Sequence, residues 1–197
     1  MTRKYEQRQR AEGQAETRRR IVEATVGLHE TVGPARTTIS AIAEVAQVQR
    51  LTVYRHFADE RALFQACSAH WAAENPLPDP SEWAAVADPI ERLRVALREI
   101  YAFFRATEGM TANLLRDLPD SAALQETAAP FLQYWETVRL ALDRGWTTRG
   151  HRRALTRAVI GHAVEFDTWR SLVRRQGLDD LAAAGLMVEL ARAASSG

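Results

Sequence analysis

The sequence predicts an all-α protein of about nine helices, arranged in two domains. Apolar residues recur three and four positions apart along most of the 197-residue chain, which is the period of an amphipathic helix. No segment shows the strict alternation of a half-buried strand, and we find neither a hairpin dipeptide nor an internal repeat. Residues 75–80 contain three prolines. We therefore place a domain boundary near them, between residues 1–72 and residues 73–197.

Positive charge is concentrated at the start of the chain. Residues 1–20 carry a net charge of +4, whereas residues 21–197 sum to −3. Such a basic arm suits contacts with phosphates, although residues 2–13 taken alone could also be a disordered, merely solubilising tail. No apolar run reaches the roughly 18 residues of a membrane helix, and no apolar segment follows the arginine-rich start, as it would in a signal peptide. We therefore expect a soluble cytoplasmic protein with no membrane partner.

Two of the four helices predicted in the N-terminal domain have a clear apolar stripe. The first covers residues 17–32, where apolar residues follow the helical period from Ile21 onward. Gly33 followed by proline ends it, as expected of a helix C-terminus. The fourth covers residues 59–71 and should turn Leu63, Phe64 and Cys67 inward.

Between them, two short helices are joined by a tight turn at residues 47–49. The hydroxyl of Thr38 or Ser40 can cap the first, since it can accept a hydrogen bond from an unpaired backbone N–H. The second has an apolar side formed by Val53 and Phe57, and hydrogen-bond donors cover its other side. These donors are Arg50, Thr52, Tyr54, Arg55 and His56. The pattern is that of a helix-turn-helix, whose second helix enters the DNA major groove.

This segment resembles the DNA-binding domain of the tetracycline-repressor (TetR) family. The residues that carry the resemblance are Thr38, Ile42, Ala43, Ala46, Val48, Tyr54, His56, Phe57 and Leu63. The close match covers residues 17–67, and beyond it only the layout is similar. Three positions depart from the family pattern. Gln47 and Leu51 stand where the family usually has glycine, and Glu60 replaces a usual phosphate-binding lysine, a contact that Arg61 could supply instead.

We predict that the start of the second helix contacts bases and that the residues around it contact phosphates. Arg50 and Thr52 should contact base edges, and Leu51 should touch a thymine methyl. The whole predicted DNA-binding set is Arg18, Arg19, Thr38, Gln49, Arg50, Leu51, Thr52, Tyr54 and His56.

Five longer helices are predicted in the C-terminal domain. They cover residues 88–106, 108–117, 121–146, 151–176 and 178–194. Asp88 and Pro89 supply an N-cap and a first-turn proline. Pro130 either kinks the third of these helices or separates a leading turn from it. Gly177 ends the fourth, and Trp83 lies in a short loop or turn.

The sequence contains no recognisable catalytic or metal-binding arrangement. A helical di-iron site needs Glu-x-x-His on two helices, and no glutamate lies three residues before any of the five histidines. His162 and Glu165 have the reverse order, and Cys67 with His70 would give only two ligands. Nucleophile-elbow, phosphate-loop and zinc-protease motifs are also missing from the sequence. We predict that the protein is not an enzyme and binds no metal or cofactor.

Aromatic and polar residues of the C-terminal domain favour a small-molecule site. Ligand cavities are mostly apolar, with a few convergent polar groups. The candidates are Phe104, Met110, Asn113, Phe131, Tyr134, Trp135, His162, Glu165, Phe166 and Trp169. The alternative is that these side chains simply fill a core. The resemblance implies an inducer cavity in this domain and a homodimer through residues 151–194. There, Gly161 and residues 182–185 are small enough for close helix packing between subunits, although they equally suit a contact within the chain.

The residues and the resemblance together predict a ligand-responsive transcriptional regulator, specifically a repressor. It should bind a palindromic DNA operator as a dimer and be released by a small, mainly apolar molecule, the inducer. One alternative is a helix-turn-helix regulator with a filled core and no inducer. The other is an enzyme or ligand carrier that has lost DNA binding, for which Leu51 and Glu60 are the only support.

Overall fold

The computed structural model describes residues 2–196, excluding the side chains of residues 2–4, and that part of the chain contains eleven α-helices and no strand. The all-α prediction is confirmed, but the predicted number of helices is too low. The chain divides into two compact units. The N-terminal unit joins the residues up to Pro76 with Gly109–Ala128, and the C-terminal unit joins Leu77–Glu108 with the residues from Ala129 onward. Met1 and Gly197, which bound the predicted domains, lie outside the described residues.

Helix bounds follow the predicted order, with additions and shifts. The helices are α1 (Thr2–Thr31), α2 (Ile39–Val45), α3 (Arg50–His56), α4 (Glu60–Glu74), α5 (Pro80–Trp83), α6 (Pro89–Ala106), α7 (Glu108–Asp117), α8 (Ala122–Leu142), α9 (Gly150–Ala163), α10 (Phe166–Arg170) and α11 (Asp180–Ser195). Short 3₁₀ turns cover Pro34–Arg36 and Leu118–Asp120, and a π-helical turn covers Ser171–Arg175. In the described residues no helix is both long and apolar enough to span a bilayer.

Helix α1 is much longer than predicted, because it begins at Thr2 rather than near residue 17. Residues 5–16 are exposed on all sides, so they have no apolar stripe from which a helix could be predicted. Their composition of arginine, glutamate, glutamine and alanine nevertheless favours a helix. Arg8 and Glu12 lie one helical turn apart and form an ion pair with a distance of 2.8 Å between Nε and Oε1, which further stabilises the helix. The described part of the predicted basic arm is therefore helical, and the side chains of Arg3 and Lys4 lie outside the described residues.

The core of the N-terminal unit is built where the first four helices meet. Its buried members are Ile21, Val22, Ala24, Ile42, Ala43, Ala46, Val53, Phe57 and Leu63. Thr38 caps α2, since its hydroxyl oxygen accepts a hydrogen bond from the backbone N–H of Ala41 at 3.1 Å. Asp59 caps α4 in the same way through the N–H of Ala62 at 2.7 Å. These caps fix where α2 and α4 begin.

A buried histidine lies beside this core. The His29 side chain is 5% exposed, its Nδ1 lies 3.6 Å from Sγ of Cys67, and its ring meets the edge of Phe64. Nε2 has no hydrogen-bond partner among the described residues. Because burial penalises the charged imidazolium, the pKa of His29 is lowered to about 4, with the charge of Asp117 opposing that shift. Burial likewise raises the pKa of the Cys67 thiol to about 12.

In the C-terminal unit, α6 packs against α11, and α11 also packs against α9. The predicted helix over residues 151–176 is wrong, because α9 ends at Ala163 and α10 begins only at Phe166. Two side chains of α10 form hydrogen bonds close to this break between α9 and α10. The hydroxyl of Thr168 lies 3.1 Å from Nδ1 of His162, and the indole N–H of Trp169 donates to Asp180 at 2.9 Å.

Helix α8 contains a proline in its interior. It continues from Ala122 to Leu142 through Pro130, so that proline does not separate a leading turn from the main helix. The helix ends at Leu142, four residues earlier than predicted, and the indole N–H of Trp146 then donates to the carbonyl of Leu142 at 2.9 Å.

Candidate functional site

Helices α2 and α3 form the predicted helix-turn-helix. The turn between them passes through Gln47, whose φ of +53° lies in the left-handed region that favours glycine. The guanidinium of Arg20 donates to the carbonyls of Ala46 and Gln47 and holds this turn to α1. Sequence reasoning did not assign Arg20 this role, because the contact depends on how α1 crosses the turn.

Helix α3 buries one side and exposes the other. Val53 is buried in the core of the N-terminal unit, whereas Leu51 is 68% exposed and Tyr54 is 52% exposed. Arg50 is also exposed, and Thr52 and His56 are half-buried at the edges of the exposed face. Gln49 is the residue before the helix and makes no side-chain capping bond. The structure thus brings the predicted base-contacting residues together on the first turn of one exposed helix.

Two of the predicted phosphate-contacting residues, Tyr54 and His56, lie on this helix, whereas Thr38 precedes α2 and Arg18 and Arg19 lie on α1. Thr38 uses a lone pair to cap α2, which leaves its hydroxyl hydrogen available as a donor. The guanidinium of Arg18 lies over the ring of Phe57, 4.7 Å from its centroid, at the C-terminal end of α3. Arg19 instead forms ion pairs with Glu16 at 2.7 Å and Glu23 at 2.6 Å.

These ion pairs affect how Arg19 can act. Its hydrogen bonds to Glu16 and Glu23 raise the pKa of the Arg19 guanidinium further above its ordinary value. Three of the five N–H groups of Arg19 are engaged by Glu16 and Glu23, and these two carboxylates repel a nearby phosphate. Arg18, by contrast, forms no ion pair among the described residues. We therefore expect Arg18 to contribute more to DNA binding than Arg19.

Residues 21–67, which include this helix-turn-helix, match the sequence model described as "Bacterial regulatory proteins, tetR family". The chain carries a TetR-family DNA-binding domain. The match spans the buried face of α1, both helices of the helix-turn-helix and the first half of α4. It confirms the resemblance over residues 21–67.

Solved structures share the fold over nearly the whole chain. A TetR-like transcriptional regulator from Rhodococcus sp. RHA1 is 22% identical, with a TM-score of 0.63 over 92% of this chain and 96% of that one. NalD, the secondary repressor of the MexAB-OprM multidrug efflux pump in Pseudomonas aeruginosa, is 17% identical, with a TM-score of 0.61 over 92% and 96%. The multidrug binding protein EbrR complexed with imidazole is 17% identical, with a TM-score of 0.53 over 88% of each chain. No curated protein matches the chain significantly.

Six of the ten predicted ligand-binding residues form one aromatic cluster in the C-terminal unit. The ring of Phe104 lies at its centre, 5.2 Å from Trp135, 5.4 Å from Phe166 and 6.0 Å from Trp169, measured between centroids. All four are buried. Phe131 and Tyr134 extend the cluster through contacts with Trp135 at 5.9 Å and 5.0 Å. The hydroxyl of Tyr134 donates to the carbonyl of Pro78 at 2.8 Å.

The other four predicted ligand-binding residues lie elsewhere. Asn113 belongs to the N-terminal unit, where its amide donates to the carbonyls of His29 and Glu30 and so caps the end of α1. Met110 packs in the same unit. The side chains of His162 and Glu165 are 62% and 52% exposed. Two of these four residues thus belong to the other unit, and the remaining two have exposed side chains.

Proposed function

We propose that this chain is a ligand-responsive transcriptional repressor that binds a palindromic operator as a homodimer and is released by a small, mainly apolar molecule. It acts in the cytoplasm, without catalysis, cofactor or membrane partner. The observation that carries the proposal is the exposed face of α3 within a TetR-family domain. This face presents Arg50, Leu51 and Tyr54, while the other face is buried in the core through Val53.

Within that proposal, Arg50 contacts base edges and Tyr54 contacts a phosphate. Arg50→Ala is expected to weaken operator binding by about 1–3 kcal/mol and to relax the preference at one base position. Tyr54→Phe is the matched control, because losing a phosphate contact should weaken binding to all sequences alike. The measurement is fluorescence anisotropy on a mapped operator and on single-base variants of it. Unchanged affinity and preference in Arg50→Ala would contradict the proposed orientation of α3.

The exposed leucines of α9 and α11 support a homodimer through residues 151–194. Leu155, Leu186 and Leu190 are each between 43% and 50% exposed, although they belong to helices that pack against each other. Leu186 and Leu190 are one helical turn apart and so share a face of α11, and a contiguous exposed apolar face marks an interaction site. Ala184, by contrast, is 1% exposed and lies inside the protomer, so the proposed interface uses the opposite face of α11. A two-fold dimer would place two copies of α3 on the two halves of a palindrome.

The aromatic cluster around Phe104 is the proposed inducer site. Its polar groups are few, and two of them are already engaged, since Tyr134 donates to Pro78 and Trp169 donates to Asp180. Such walls suit a mainly apolar molecule with one or two hydrogen-bonding groups. By analogy with NalD and EbrR, whose descriptions refer to multidrug efflux and multidrug binding, a lipophilic drug-like compound is the proposed class.

A thermal-shift screen of hydrophobic compounds tests this site. A ligand at 100 times its Kd should raise the unfolding free energy by about 2.7 kcal/mol in the wild type and by much less in Trp135→Ala. Compounds that stabilise both proteins equally would place the site elsewhere. The close ring contacts of Phe104 favour the second candidate function, a regulator with a filled core and no inducer. That candidate gains support if no compound binds and operator affinity does not respond to cell extract.

A further inference from the structure

A cavity of about 290 Å³ lies in the N-terminal unit, among α2, α3 and α4. It shares no residue with the proposed inducer site. Its lining residues are Thr37, Ile39, Ile42, Val53, Tyr54, Phe57, Asp59, Glu60, Leu63 and Phe64. Its volume is close to the lower end of the range found for small-molecule sites. It is therefore large enough for one aromatic ring with a short substituent.

The cavity has an apolar floor and a polar rim. Its floor consists of side chains that are at most 6% exposed, namely Ile42, Val53, Phe57, Leu63 and Phe64. At the rim, Tyr54, Asp59 and Glu60 are exposed and Thr37 is half-buried. A ligand that fits must be amphipathic, with an apolar body for the floor and a polar group for the rim.

The charge at the rim is negative. The lining residues include two carboxylates, Asp59 and Glu60, and no basic side chain. One oxygen of Asp59 accepts from the N–H of Ala62, whereas Glu60 forms no ion pair among the described residues. The adjacent Arg61 is turned to Glu126, with which it pairs at 2.7 Å.

The N-terminus of α4 offsets about half a unit charge. The guanidinium of Arg18, which lies over the ring of Phe57 without lining the cavity, offsets a further part. The two carboxylates outweigh both, so the rim favours a cation over an anion.

We propose that this cavity binds a small organic cation, in which an aromatic or branched alkyl group is attached to one ammonium. The apolar group lies on the floor formed by Val53, Phe57 and Leu63. The ammonium lies at the rim, near the carboxylates of Asp59 and Glu60, and the exposed ring of Tyr54 provides a further surface that attracts cations.

Binding there would be coupled to DNA binding. The cavity walls come from both helices of the helix-turn-helix, and Tyr54 is also a proposed phosphate contact. A cation that holds Tyr54 or shifts α3 would lower operator affinity, and the operator would lower cation affinity by the same factor. This coupling rests on the proposed function, whereas binding of the cation by itself does not.

The test uses the full chain and 2-phenylethylammonium as the probe, with 2-phenylethanol and 3-phenylpropionate as its neutral and anionic counterparts. Calorimetry should show binding of the ammonium in preference to the alcohol, and no binding of the carboxylate. Glu60→Gln should weaken ammonium binding by about fivefold, because it removes one partly screened charge. Glu44→Gln is the matched control, since Glu44 is an exposed carboxylate on α2 that does not line the cavity. It should leave binding unchanged.

Three results with these probes and glutamine variants would overturn the proposal. They are no ammonium binding in the wild type, equal affinity for ammonium and alcohol, and an equal loss of affinity in the two glutamine variants. Trp135→Ala serves as a second control, since ammonium binding that disappears in this variant would belong to the aromatic cluster instead. A parallel anisotropy titration tests the coupling. If operator affinity does not change while the ammonium is bound, the proposed coupling is wrong but the proposed cation site is not contradicted. If the wild type binds no operator at all, the proposed function fails and the calorimetric result is unaffected.

Discussion

Leu186→Glu is expected to convert the protein to a monomer and to lower operator affinity by about 10²–10⁴-fold. A two-fold interface uses the same patch of both protomers, so the substitution would bury an unpaired carboxylate on each side of the interface. Leu186 is 50% exposed on α11, and its replacement therefore leaves the protomer core intact. Each α3 would then bind a half-site singly and lose the gain from simultaneous binding. Sedimentation velocity gives the assembly state, and anisotropy on the operator gives the affinity.

Leu140→Glu is the matched control for this prediction. Leu140 is 63% exposed on α8, outside residues 151–194. The control should remain dimeric and retain operator affinity. A wild-type monomer at micromolar concentration, or a dimeric Leu186→Glu variant, would contradict the proposed interface. A monomeric variant that binds the operator as tightly as the wild type would instead contradict the dimeric binding mode.

The stability of the protein should fall steeply between pH 6.5 and pH 4 because of His29. Its pKa is about 4 in the folded protein, compared with about 6.5 for an unperturbed histidine. In this window the unfolded chain binds a proton that the folded protein does not, so acid favours unfolding. The stabilisation is complete above pH 6.5 and is lost as the pH falls to the folded pKa. The shift corresponds to about 3 kcal/mol over the window. Denaturant unfolding followed at several pH values measures it.

His29→Phe isolates this contribution. The variant replaces the imidazole by a ring that does not titrate, so its stability should change about 3 kcal/mol less than that of the wild type across the same window. His151→Phe is the control, because His151 is exposed and should leave the slope as it is. If the free energy of unfolding of His29→Phe depends on pH as steeply as that of the wild type, other groups, such as carboxylates, cause the acid sensitivity.

The helix-turn-helix could be predicted from sequence because its determinants are local. Capping by Thr38, the apolar side of α3 and the donors on its other side are all decided within a few residues. The N-terminal half of α1 was missed for the opposite reason. It is a helix with no buried face, and helical periodicity detects only helices that have one. The high content of helix-favouring residues in this segment was the signal from which the helix could have been predicted.

The predicted ligand site was only partly assembled, because helical periodicity does not say which helices meet. Phe104, Trp135, Phe166 and Trp169 come together, since all lie on buried faces of helices in one unit. Asn113 lies instead against the end of α1, where two carbonyls without helical partners need a donor. His162 keeps the spacing of the buried stripe, but α9 ends one residue later and the side chain is exposed.

The sequence by itself determined the all-α class, the helix-turn-helix and the TetR-family domain, because each depends on patterns within one short segment. The tertiary structure decided the break after Ala163, the place of Asn113, the burial of His29 and the cavity beneath Tyr54. These depend on contacts between residues far apart in the chain. Which partners a side chain contacts depends on how two helices cross, and a local sequence pattern does not contain that information.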